Sequence, residues 1–189
     1  MGLFNKNSTN GAVSERQRLE TKYAQSRHNI LLVVLFSLIN IILLVADGST
    51  YFLFSAYVPY LFADLGMLFT GSYPSEVYTG DLAGMEFLPK SFFVVMLVIV
   101  MIILVLYLLC WIFSKKQRVG WMITALVFFV IDTAAMLLLN GISADGIIDI
   151  VFHGWVVVSL IMGIAAHFKL KKLPAEDVVD AVCATYPEE

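Results

Sequence analysis

The sequence predicts an all-α membrane protein: a bundle of four transmembrane helices with an outer re-entrant or interfacial helical segment. Three observations carry this. The 189 residues are 60% hydrophobic and only 14% charged, against about 45–50% and about 25% in an ordinary soluble domain. Four stretches are long and apolar enough to cross about 30 Å of hydrocarbon. Every Lys and Arg except Lys90 falls on one side of a four-span topology. A soluble chain of this size could not bury so much apolar surface and still cover itself with polar groups. The composition therefore excludes a soluble enzyme, a nucleic-acid-binding domain and a disordered chain. The partners it implies are the lipid bilayer and either further copies of this chain or another membrane protein.

Residues 1–28 read as a cytoplasmic, partly helical segment. Ser14 and Gln17 have capping-box spacing, which predicts a helix over 14–27 leading into the first span, with a frayed tail as the alternative. The transmembrane domain covers 29–168, with spans at about 29–47, 92–113, 120–140 and 147–168. The first is the shortest, Ile30 to Ala46, with Asn29 and Asp47 at its interfaces. It does not read as a secretory signal: 29 residues precede it, and cleavage after Ala46 would put Leu44 at the −3 position.

Residues 51–69 form a further apolar stretch, rich in Tyr and Phe, with Pro59 in its middle and Asp64 beyond. A crossing there would put the basic clusters on opposite sides, and aromatic enrichment marks an interface. It is therefore assigned to the outer face, packed against the bundle. Gly71 to Pro89 is an outer loop broken by Pro74, Gly80 and Gly84. The span over 92–113 carries no charge and is the candidate for the most lipid-exposed helix. In the cytoplasmic tail, 169–189, Pro174, Glu176 and Asp177 predict a short helix over Leu173–Val182. Cys110 reads as a packing thiol and Cys183 as a free tail thiol, without metal-ligand or disulfide spacing.

Orientation follows from charge. Lys6, Arg16, Arg18, Lys22 and Arg27 precede the first span; Lys115, Lys116 and Arg118 lie between the second and third; Lys169, Lys171 and Lys172 follow the fourth. The positive-inside rule makes that side cytoplasmic, with both termini inside a plasma or inner membrane.

Polar residues within spans usually face the bundle interior and have partners. Counting at 1.5 Å per residue, Asn40, Asp132 and His153 lie about 9–12 Å below the outer ends of three different helices. Asp149 and His153 form an i,i+4 pair able to hydrogen-bond. Helical periodicity groups Asn29, Val33, Ser37, Asn40 and Asp47 on one face; Ala125, Phe128, Asp132, Met136 and Leu139 on a second; and Asp149, His153, Leu160, Gly163 and His167 on a third. Ala125, Ala135, Ser159 and Gly163 are candidates for close helix contacts. Leu38–Val45 and Val130–Leu137 align weakly as an internal repeat that matches Asn40 to Asp132.

Three functions fit this polar cluster of Asn40, Asp132, Asp149 and His153. The first is non-enzymatic: a scaffold or accessory subunit in which the cluster fixes helix register. The second is a proton- or cation-coupled transport component using Asp132 and His153, oriented by Asn40 and Asp149. A small ion would then be the ligand, concentrated by the outer acids Asp47, Asp64, Glu76, Asp81, Glu86 and Asp145. The third is a metal-dependent membrane enzyme with Asp132, Asp149 and His153 as ligands. No HExxH, GxSxG or Gly-rich phosphate loop supports catalysis, no nucleophile with an adjacent base stands out, and no organic cofactor is implied.

Overall fold

The computed structural model of the protein describes residues 6–46, 55–115, 118–141 and 146–173. Five α-helices occur there and no strand: α1 Lys6–Val45, α2 Tyr57–Phe69, α3 Lys90–Phe113, α4 Val119–Asn140 and α5 Ile147–Leu170. Short 3₁₀ turns at Ser75–Val77 and Gly80–Leu82 shape the connection from α2 to α3. α1, α3, α4 and α5 are long and apolar enough to cross a membrane, whereas α2 has 13 residues, about 20 Å of helix, and is not. Four expectations fall wholly or partly outside the described residues: the acids Asp47 and Asp145, positions 51–54, the helix beyond Leu173 and Cys183.

The four long helices alternate in direction. Leu19 packs with Ala166 and Leu170, Ser26 meets Gly163, and Asn29 bonds Ser159, so α1 and α5 run antiparallel. Tyr23 at one level and Ile41 at another meet Ser114 and Val100, so α3 also opposes α1. The described basic residues other than Lys90 consequently gather at one end of the bundle. There the Arg27 guanidinium donates to the Trp111 carbonyl (3.1 Å) and Ser114 Oγ (2.9 Å) and lies over the Trp111 ring. A cation is thereby placed where the last carbonyls of α3 lack helical partners.

α1 departs from expectation at its start. It begins at Lys6, so Ser14 lies within the helix and does not cap it. No break separates residues 6–28 from the first span: Leu19, Tyr23 and Ser26 are buried against α3 and α5. These apolar and small side chains continue the 3.6-residue stripe toward the N-terminus, and packing along it sustains the helix.

Two glycines let helices touch. A Cβ on Gly163 would stand 2.5 Å from Ser26 Cβ, and one on Gly66 would stand 2.9 Å from the Phe93 ring. The first is the α1–α5 crossing, where Ser26 Oγ donates to the Ser159 carbonyl at 2.7 Å and Asn29 donates to Ser159 Oγ at 2.6 Å. The second seats α2 against α3. The core between the helices contains Val33, Tyr107, Met122, Ala125, Phe129, Val156 and Leu160. Ala125 and Gly163 occupy the close contacts expected of them, but Leu139 is exposed and Ala135 only half-buried. α3 is the least enclosed of the long helices, with 17% of its apolar window buried against 28% in the others.

Gly163→Ala should cost about 1–3 kcal/mol, because Ser26 Cβ belongs to a helix that must move as a whole. Gly154, on the same helix with nothing within 4 Å of an added Cβ, supplies the comparison. Gly154→Ala should be neutral or stabilising by up to about 1 kcal/mol. Thermal unfolding of both variants in one detergent measures the difference.

Candidate functional site

α2 begins inside the bundle, and that creates a chemical demand. The first N–H groups of any helix have no partner within the helix. In water they are solvated; in an apolar interior each needs an acceptor. The residue before α2, Ala56, has no polar side chain to supply one. The acceptors come from two other helices. Ser37 Oγ on α1 accepts the Ala56 N–H at 2.7 Å. Asp132 on α4 accepts the next two: Tyr57 N–H on Oδ2 at 2.9 Å and Val58 N–H on Oδ1 at 2.8 Å. The residue after these is Pro59, which has no N–H. Its place in the first turn is where a helix tolerates proline best. Pro59 therefore starts this helix, where the sequence alone suggested a break in the middle of a longer segment.

Asp132 is 3% exposed and His153 2%. His153 Nε2 lies 3.4 Å from Asp132 Oδ2, an ion-pair separation longer than a hydrogen bond. The other ring nitrogen, Nδ1, is 2.9 Å from the main-chain carbonyl of Asp149 and must donate to it, since a carbonyl only accepts. The expected Asp149–His153 bond thus exists, but through the Asp149 main chain and not its carboxylate. With Nδ1 protonated, Nε2 faces the Asp132 carboxylate favourably only if a proton lies between them. At 3.4 Å no hydrogen bond joins them, and Nε2 has no hydrogen-bond partner among the described residues. Phe129 stacks on the imidazole at 5.1 Å and shields it from the helix interface.

Asn40 reaches the same region from α1. It donates to Ser55 Oγ at 2.9 Å, on the strand of chain that enters α2. The three residues expected at one level are therefore joined through residues 55–58. Asp132 and His153 lie against each other, Asn40 bonds Ser55 of the same segment, and Asp149 contributes backbone. Tyr57 closes the arrangement toward the end of α4 by donating to Asn140 Oδ1 at 2.9 Å. Ser37, Ser55 and the Tyr57 and Val58 amides were not among the sequence candidates. Their signal was Pro59, whose first-turn preference announces a helix N-terminus close by.

A hollow of about 180 Å³ reaches Asp132 between α3 and α4, lined by Val58, Ile103, Leu106, Tyr107, Phe128 and Ile131. Its mouth is flanked by the exposed apolar residues Leu106 and Ile131. Among the described residues, no three His, Cys, Asp or Glu side chains come together as a metal-ligand group. Of the outer acids, Asp64 accepts a 2.5 Å bond from the Tyr73 hydroxyl, while Glu76, Asp81 and Glu86 are exposed. Burial, and then the neighbouring Asp64 carboxylate, push the Tyr73 phenol above its ordinary range, so it remains the donor. Lys90, the one basic residue at this end, donates to Ser72 Oγ at 3.0 Å.

Set beside known families, curated proteins and solved structures, the chain matches none.

Asp132→Asn should break one of the two main-chain bonds, because an amide presents a single acceptor and turns its NH₂ toward a donor. The expected cost is about 2–4 kcal/mol, between a lost charged hydrogen bond and a broken buried pair. Amide hydrogen exchange should accelerate at Tyr57 and Val58 before it does in α4. Unchanged exchange at both positions would contradict the capping role.

Proposed function

We propose that the chain is a multi-pass integral membrane protein of a plasma or inner membrane, with both termini cytoplasmic and α2 as a re-entrant helix opened from the outer face. We further propose that it works without catalysis, as a scaffold or accessory subunit packed against copies of itself or another membrane protein. The observation that carries this is the commitment of Asp132. Both of its oxygens accept main-chain N–H groups, and its remaining side is turned to His153. A carboxylate used in this way supports a helix and has little left for a transported ion. Four apolar helices, with the described basic residues other than Lys90 at one end, support the orientation. The open apolar face of α3, including Val94, Val98, Met101 and Val105, supports a lateral contact with lipid or a neighbouring helix.

One observation favours a proton-coupled role as the second reading. The buried Asp132 and His153 side chains stand 3.4 Å apart, and the hollow between α3 and α4 reaches Asp132. Protonating Asp132 would weaken its hold on the α2 amides, so proton uptake could be linked to movement of α2.

Reconstituted in liposomes with an internal pH dye, the protein should show no proton or cation flux of its own. Asp132→Asn and His153→Ala should lower its melting temperature. If the wild type conducts, and these variants abolish conduction while keeping the melting temperature, transport replaces the scaffold role. Orientation is checked in a Cys183→Ser background: Tyr78→Cys should react with an impermeant maleimide in intact cells, and Gln117→Cys only after lysis.

A further inference from the structure

A second feature lies away from the Asp132 cluster, on the flank of the bundle. α1 and α5 enclose a groove of about 550 Å³ lined by Lys22, Gln25, His28 and Asn29 on one side and Trp155, Val158 and Met162 on the other, with Ser26 and Ser159 at its floor. Its two walls differ in chemistry. The antiparallel register set by Ser26–Gly163 and Asn29–Ser159 places Lys22 at the basic end and Trp155 roughly 17 Å deeper along the helices. Polar donors crowd the α1 wall, and an indole, an isopropyl and a thioether form the α5 wall, with Met162 near the level of Ser26 and Trp155 the deepest. No acidic residue lines it. Lys22, Gln25 and His28 are exposed, and Trp155 is 63% exposed despite its size.

We propose that this groove binds one anionic phospholipid of the cytoplasmic leaflet, with its phosphate at Lys22 and His28 and one acyl chain along Trp155, Val158 and Met162. The proposal rests on the membrane reading above. Charge selects the occupant: a cation and neutral donors without a carboxylate attract a phosphate, and the cytoplasmic leaflet is the one rich in anionic lipid. Shape supports it, because a lone anion would leave the apolar length of the groove unused. The floor is fixed by the hydrogen-bonded crossing of Ser26, Asn29 and Ser159, so the groove is preformed.

The test uses the full-length protein in a neutral detergent, with phosphatidylglycerol or phosphatidylcholine titrated in and binding read by native mass spectrometry and by melting temperature. Phosphatidylglycerol should bind one to one and raise the melting temperature, and phosphatidylcholine should do neither. Lys22→Glu should weaken phosphatidylglycerol at least about tenfold while leaving the lipid-free melting temperature unchanged. Trp155→Ala should weaken it without a change of charge. Lys169→Glu, an equal charge change outside the groove, should leave binding intact. Equal binding of the two lipids, retention in Lys22→Glu, or the same stabilisation by inorganic phosphate would overturn the proposal. So would a protein dimer that loses its contact on Trp155→Ala. Failure of the membrane reading is separately visible: the protein would then leave the membrane fraction in a carbonate wash without detergent.

Discussion

The carboxylate of Asp132 at the start of α2 is the contact on which the arrangement of the bundle turns. A helix that begins among apolar side chains exposes N–H groups that nothing nearby in sequence can satisfy. Asp132 answers two of them and Ser37 a third, and Pro59 removes the need for another. The charge also opposes the positive end of the α2 dipole. A buried carboxylate is itself costly, and the same bonds that satisfy α2 offset that cost, with the His153 imidazole on the remaining side. α2 and Asp132 are thus mutually dependent: each would be an unsatisfied polar group without the other.

Around this contact the helices are held at two levels by different means. At the level of Asp132, polar groups from α1 and α4 converge on residues 55–58 while His153 of α5 lies against Asp132, and specificity comes from hydrogen-bond geometry. Nearer the basic end, α1 and α5 meet through Ser26, Ser159 and Gly163, and close backbone approach does the work. Small residues suit an apolar setting, where burial of hydrocarbon against hydrocarbon contributes little and dispersion and interhelical hydrogen bonds must hold helices together. α3 shares least in either system, which agrees with its uniformly apolar sequence.

The candidate site was partly legible in the sequence. Asp132 and His153 stood out because ionisable residues inside apolar runs need partners, and a count of 1.5 Å per residue placed them at one depth with Asn40. Depth, however, is one coordinate of three. It could not show that Asn40 and Asp132 both bond to the segment over 55–58. Nor could it show that the Asp149 main chain, and not its carboxylate, holds the imidazole. Side-chain spacing on a helix carries no information about the carbonyls behind it.

Composition and periodicity alone determined the helical class, the number of long apolar helices, and the gathering of basic residues at one end. These follow from local properties: hydropathy over about twenty residues, the 3.6-residue repeat and the order of charges along the chain. The tertiary structure decided that α1 runs on well before the apolar span, where Leu19, Tyr23 and Ser26 pack against α3 and α5. It decided that Pro59 opens a helix, and that the acceptor for that helix sits 75 residues away on α4. A helix N-terminus in water finds its partner in solvent or in its own first turn, where sequence can reveal it. One that starts inside a protein must borrow acceptors across space, and only the fold brings them there.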